Sequence, residues 1–335
     1  CQQVIDHTTS KYPGKIVLEG SYDCGDKTIT LADGQSLVGK SYYTGASESA
    51  TSKSAGLTFT TKSSASKKNL SIGGNNTLIA NLKLKAVNTY GEHWILYLGK
   101  YADSVVQDVY IEIDSQNLKG SSVYHTAGIY LESDTASVYL KGNVYIANVD
   151  DNPSSPKSRY NQGIRVGGTP HQALNWSSIY LENGSVVNIN LIGNSTDTAI
   201  RGGNTYMSGN AKLITHTNGW ALSQDWGDTR LTMRGTSSIE ATSDISGAGN
   251  GTIYGADMYD SAKIKIDLYG RTYGGLYGYG LGMGEFNLNS ANNSITVNQI
   301  NGATQGYGMF FTYLSCKPGA QLSIKGTTYK CAREL

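Results

Sequence analysis

Short stretches in which apolar and polar residues alternate run the length of the chain: "KTITLADGQSLVG", "NTLIANLKLKA", "DVYIEID", "SVYLKGNVYIANV", "SIYLENGSVVNINLI" and "SITVNQI". They are rich in Val, Ile, Tyr and Thr and are bounded by Gly, Asn and Asp. A period of two with such boundaries predicts β-strands with one buried face. There is no long amphipathic helical pattern; only "CQQVIDHTTSKY" at the start predicts a short helix.

One small strand recurs eight times, centred on Ile95, Ile129, Ile164, Ile200, Ala221, Ile253, Leu276 and Met309, with separations of 34, 35, 36, 21, 32, 23 and 33 residues. A second pattern follows most copies: "SVYLKG", "SIYLENG", "NAKLITH", "TRLTMRG" and "QLSIKG". A repeat of irregular length, each unit holding two or three short strands, is the mark of a solenoid, because no unit can bury its apolar face without stacking on the next. The predicted fold class is therefore all-β: a single right-handed parallel β-helix of about ten coils, a cap at 1–26, coils over 27–315 and a second cap at 316–335.

A propeller needs a steadier period than these separations show. A sandwich keeps some support from the Asn-Gly and Asp-Gly pairs at Asp33, Asn183, Asn218, Asn250 and Asn301. In a solenoid the rungs must stay in register while surface turns lengthen cheaply. The stretches 41–56, 149–162 and 242–251 are read as such insertions.

The 335 residues would ordinarily suggest two domains, but a solenoid grows by adding units. The net charge of +1, from 27 basic and 26 acidic residues of interspersed sign, gives no electrostatic footprint for nucleic acid or an anionic membrane. No apolar run is long enough to span a bilayer.

Cysteines stand only near the ends, at Cys1, Cys24, Cys316 and Cys331. Local pairing would staple each terminus and fits an oxidising compartment, although four cysteines permit three connectivities. A chain that starts at Cys1 without an initiator Met or apolar leader suggests a secretion signal already removed. The competing reading, an acylated lipoprotein Cys1, would leave Cys24 without its nearest partner.

The segment "IVLEGSYDCGDKTITLADGQSLVG" at 16–39, followed by "GGNNTLIANLKLKA" at 73–86, resembles the first coils of bacterial secreted right-handed β-helix proteins of the pectate-lyase-like superfamily. The later "SIYLENGSVVNINL" coils look like those of autotransporter and adhesin passenger domains. The resemblance implies a secreted or outer-surface protein. It carries no particular chemistry, because the same superfamily holds lyases, hydrolases and adhesins.

Any catalytic reading therefore rests on individual residues. Asp150 and Asp151 are the best paired carboxylates for glycoside hydrolysis, yet neighbours on a strand point to opposite faces and "NPSSP" reads as a turn. Asp108, Glu112 and Asp114 have the even spacing of a shared face and are candidates for calcium. That face is read as solvent-side, since Val109, Ile111 and Ile113 take the other. His7, His93, His125, His171 and His216 are dispersed, without metal-ligand spacing.

Aromatic residues weigh the other way. Trp94, Trp176, Trp220 and Trp226, with 24 Tyr against 4 Phe, are more than a slim core needs. A flat ring on a sheet suits a sugar or a protein hot spot, although ladders of Tyr are also plain cross-strand packing. In "LYGRTYGGLYGYGLGMGEF" the repeat places Leu276 in register with Ile253 and Met309. This makes the tract an ordered coil and Tyr277 and Tyr279 a short stripe on one face.

The expectation is an adhesin-like, virulence-associated binding protein, monomeric and without cofactor or metal. It would sit outside the cell or on a bacterial outer surface and present a flank to host glycan or host protein. Tyr273, Tyr277, Tyr279 and Trp226 are the candidate contacts. The alternatives are a polysaccharide lyase or hydrolase of the same fold, and a purely structural spacer.

Overall fold

A computed structural model describes residues 14–43, 49, 51–61, 67–88, 92–114, 124–132, 135–149, 159–167, 177–192, 197–223, 230–243, 251–269, 274–277, 284–300, 307–310 and 312–332. The strands fall into three sheets of eleven, twelve and ten strands, and each sheet takes every third strand in chain order. A chain that visits three sheets in turn and then stacks on its own previous turn is a parallel β-helix. All pairings among the described residues are parallel except the last, where Thr327–Lys330 turns back antiparallel on Gln321–Ile324. This excludes the hairpin-built sandwich. One helical turn, Lys40–Tyr43, interrupts the strands.

The period-two pattern sets what is inside. Along Lys263–Leu268, Ile264, Ile266 and Leu268 are buried while Lys263 and Lys265 are exposed. The same alternation in Tyr110–Asp114 buries Ile111 and Ile113, with Val109 before them, and turns Glu112 and Asp114 outward, but the face expected to meet solvent does so only in part, because Glu112 is buried under its own partners. Inner side chains from the three sheets form one continuous apolar column from Ile16 to Leu322.

The recurring strand lies in the third sheet. Ile129, Ile164 and Ile200 are in register, and Leu276 stands between Ile253 and Met309 as the repeat predicts. At two coils the register is off by one: Leu96, not Ile95, pairs with Ile129, and Leu222, not Ala221, pairs with Ile200 and Ile253. The cause is a corner at which two consecutive residues both turn inward, so Ile95 and Leu96, like Ala221 and Leu222, are all buried. On the coils between, the inward corner position is Gly128, Gly163 or Ala199. A Cβ on Gly163 would stand 2.5 Å from Ile189 Cγ2 and 2.6 Å from the Ala199 carbonyl oxygen, so the glycine is there for close approach.

The second sequence pattern merges two sheets. "SVYLKG", "SIYLENG" and "TRLTMRG" supply strands of the first sheet, whereas "NAKLITH" and "QLSIKG" supply strands of the second. The missing first-sheet rung is Asn204–Met207. Parts of the predicted insertions are strand: Arg159–Val166 begins inside 149–162, and Ser238–Ser243 runs into 242–251.

Corners between sheets are tied from coil to coil by short polar side chains. The carboxylate of Asp33 accepts from the amide of Asn75 at 2.6 Å, Asp108 from Asn143 at 2.9 Å and Asp260 from Gly235 at 2.8 Å. Asn183 accepts from the Asn210 amide at 3.1 Å, while Asn210 accepts from Gly184 at 2.6 Å. These links satisfy turn amides that no ladder reaches.

At the C-terminus Cys316 and Cys331 form a disulfide that fastens the last hairpin. Cys24 is disulfide-bonded as well. Cys1, its expected partner, lies outside the described residues, as do the predicted N-terminal helix and Asp150 and Asp151.

Candidate functional site

The four candidate contacts are not available as side chains. Tyr273, Tyr279 and Trp226 lie outside the described residues, and of Tyr277 only the backbone is described, opposite Phe310 in the third sheet. Among the described residues, stacked aromatic side chains form two groups on other rungs, which differ in what their ring faces meet.

On the third sheet Tyr97 and Tyr130 stack at 5.6 Å with planes 8° apart, and Trp94 lies 4.5 Å from Tyr130. Lys68 Nζ stands 3.7 Å from the Tyr97 ring centroid, and the Arg165 guanidinium 5.8 Å from that of Tyr130. Tyr97 is buried and donates its hydroxyl to Glu132. Burial first, then that carboxylate, raise the phenol well above its ordinary pKa. This is the wrong direction for a tyrosine base. Rings covered on their faces by one another and by cations are packing.

On the first sheet Tyr139, Tyr180 and Tyr206 form a ladder, at 4.8 Å with planes 8° apart and then 5.0 Å with planes 14° apart. The ladder stops at Tyr206, the most exposed of the three at 36%. Its partner on the next rung is Thr232, then Asp257, then Asn287. One face of Tyr206 is covered by Tyr180; beside the other stands Thr232, and among the described residues no ring or cation covers that face.

Thr232 is thus the rung partner between Tyr206 and Asp257, and the surface around it is termed the Thr232 niche. On its own strand direction Arg230 and Arg234 share its face, two residues to either side. Arg230 Nη1 meets Asp257 Oδ2 at 3.0 Å, and Nη2 lies 3.7 Å from Glu285 Oε2. The hydrogen bond and charge of Asp257 raise the guanidinium's pKa further. Asn287 Nδ2 donates to the other Asp257 oxygen at 2.7 Å. Arg234 stands 4.1 Å over the Tyr259 ring, exposed and without an ion pair among the described residues. The niche combines an exposed ring face, a carboxylate held in place by two donors, an amide, and two guanidinium groups with N–H groups to spare. Apolar C–H faces and hydroxyls are the chemistry that such a set engages.

The expected acidic site is resolved differently. Asp108 adopts left-handed backbone at a corner (φ 53°) and caps Asn143, so it does not share a site with Glu112 and Asp114. Glu112 accepts from Lys83 at 2.6 Å, Lys85 at 2.8 Å and the Tyr110 hydroxyl at 2.9 Å, and Lys85 also reaches Asp114 at 3.0 Å. The chain's own lysines occupy the place a cation would take. His93 is buried and His216 half-buried; among the described residues no three His, Cys, Asp or Glu side chains could hold a metal ion.

Tyr206, Thr232, Arg234 and Asp257 were missed because they lie 26, 2 and 23 residues apart in sequence and meet only through first-sheet register. The usable signal was "TYM", "LTM" and "ADM", in which one outward residue precedes each inward Met. No protein-family model matches the chain, and no curated protein matches it.

Proposed function

We propose that this β-helix is an adhesin-like binding protein that acts outside the cell or on a bacterial outer surface and holds a saccharide unit of a glycan in the Thr232 niche. The observation that carries the reading is the face of Tyr206 beside Thr232, which no ring or cation covers among the described residues, with Arg230, Arg234 and Asp257 on the next two rungs. The Cys316–Cys331 disulfide is compatible with an extracellular setting. The fold's likeness to pectate-lyase-like and passenger-domain coils supports the same setting by analogy alone.

The Asp257–Glu285 pair on neighbouring strands favours a second reading, a glycoside hydrolase. Against it, a glycosidase general acid keeps its proton in an apolar pocket. Glu285 is exposed and Asp257 is tied to a guanidinium and an amide.

The deciding experiment is a glycan array probed with the wild type and Tyr206→Ala, with polysaccharide breakdown assayed alongside. Reproducible ligands that Tyr206→Ala loses support binding. Ligands indifferent to that change, or none, overturn it, and turnover of any polysaccharide moves the assignment to the enzyme.

A further inference from the structure

The two ends of the apolar column are closed to different degrees. On the first rung the inward Ile16 and Leu18 are each 6% exposed. On the last, the inward Leu314, Cys316 and Ile324 and the hairpin's Cys331 are only half-buried. Thr312–Cys316 is the outermost strand of the first sheet, whereas the second sheet carries Thr327–Lys330 beyond its own last parallel strand. The hairpin strand thus stands one strand spacing, about 4.8 Å, past the end of the first sheet and leaves a step beside it.

The backbone along that step is unpaired on one side. Lys317 donates its amide back to the Leu288 carbonyl at 2.8 Å. In a parallel ladder consecutive residues face opposite neighbours, so Tyr313 and Ser315 bond to Gly284–Leu288, while Leu314 and Cys316 aim amide and carbonyl away from it. Among the described residues nothing meets these groups. Backbone donors and acceptors left open on a strand edge accept a further strand.

Charge names the kind of strand. From 286 to 333 the chain has no Asp or Glu, against Lys317, Lys325, Lys330 and Arg333. Lys317 and Lys330 each adjoin one cysteine of the Cys316–Cys331 disulfide, which sets them at the same corner; both are exposed and without an ion pair among the described residues. Glu285, beside Tyr313 on the rung before, lies 3.7 Å from Arg230. With Glu285 and Glu334 counted, this end still holds four basic side chains against two acidic ones.

A second copy of the chain fits poorly. Tail to tail, the same lysines would face one another. Head to tail, Ile16 and Leu18 are already buried, and Glu19 and Asp26 are already paired with Lys40 and Lys67.

We propose that Thr312–Cys316 is a docking edge for an extended acidic segment of a partner protein, which adds as the next strand of the first sheet. The inward residues of that segment are apolar and cover Leu314 and Cys316. Its outward residues are Asp or Glu and meet Lys317 and Lys330, close to the exposed ring of Tyr313. The edge does not depend on the saccharide reading of the Thr232 niche.

The test mixes the whole protein with a short synthetic peptide that alternates valine with glutamate. One control carries lysine in place of glutamate; another keeps the composition and scrambles the alternation. Fluorescence anisotropy reads affinity and hydrogen exchange reads the edge. The acidic peptide should bind and slow exchange at Leu314 and Cys316, leaving Ser315, already in the ladder, unchanged. Lys317→Glu with Lys330→Glu should weaken the acidic peptide roughly tenfold and turn the preference to the lysine peptide, with the circular dichroism spectrum unchanged. Leu314→Pro removes an outward amide that an edge strand can spare, and should abolish binding. Where Leu314→Pro does not fold, the lysine pair alone decides.

Binding that leaves exchange at Leu314 and Cys316 unchanged would overturn strand addition. Equal binding of the lysine or the scrambled peptide by the wild type, or no binding of any peptide, would overturn the acidic partner. Self-association that rises with protein concentration and protects the same two amides would give the edge to a second copy and overturn it as well.

Discussion

Gly163→Ala places one methyl where the solenoid has no room. The added Cβ would lie 2.5 Å from Ile189 Cγ2, 3.1 Å from Ile189 Cδ1 and 2.6 Å from the Ala199 carbonyl oxygen. The oxygen belongs to the adjacent rung and is fixed by its ladder, so side-chain movement alone cannot relieve the contact. Overpacking of this kind costs about 1–3 kcal/mol. Replacing glycine returns about 0.4–1 kcal/mol by restricting the unfolded chain, and Gly163 does not occupy a glycine-only conformation. The net expectation is a loss of about 1–2 kcal/mol. Urea unfolding should show a lower midpoint at unchanged slope. The double change with Ile189→Ala should lose less than the sum of the two single changes, because one of the two tight contacts is gone. A Gly163→Ala protein as stable as the wild type would refute the close-approach argument at Gly163.

The other predictions concern charge, cap and site. Burial alone would push the Glu112 carboxyl up, but hydrogen bonds from Lys83, Lys85 and Tyr110, with the charge of Lys83, leave it below its ordinary range. A depressed carboxyl contributes stability that is complete above its unfolded value and is lost as pH falls through the folded one. Acid titration of stability should therefore be less steep in Glu112→Gln than in the wild type. Cys331→Ala opens a link across 15 residues and should cost up to about 3 kcal/mol, with hydrogen exchange speeding first at Gln321–Ile324. Thr232→Trp sets a ring beside the second face of Tyr206 and should abolish saccharide binding while the melting curve stays close to wild type.

Much of the architecture is legible in the residues because rungs must match. Ile129, Ile164 and Ile200 can be aligned by eye since each follows a small residue, Gly128, Gly163 or Ala199, at the same corner. Ile95 and Ala221 mislead because both neighbours are inward there, and a pattern that assumes strict alternation has no means to choose between them. Outward residues are a harder case. Tyr206 is read from sequence as one Tyr among 24; what distinguishes it is that the next rung offers Thr232, whereas Tyr139 and Tyr180 are each followed by another ring. The third-sheet column also has a signal that pattern reading passed over. The residue after each in-register apolar position is Tyr97, Tyr130, Arg165, Arg201, Ser223, Tyr254, Tyr277 and Phe310. Spacing reveals the column, but only coordinates show that Lys68 and Arg165 close the faces of its first two rings.

The antiparallel return of Thr327–Lys330 has a meaning beyond the single molecule. A parallel ladder is a template, and its final rung invites another strand of the same polarity, which is how cross-β growth elongates. Along the second sheet that invitation is withdrawn, because the outermost strand runs the other way and the Cys316–Cys331 link holds it there. Molecules meeting end to end find no continuous parallel register across it. Removing this hairpin would leave Gln321–Ile324 as an open parallel edge on the second sheet, the kind of edge on which strand-by-strand growth begins.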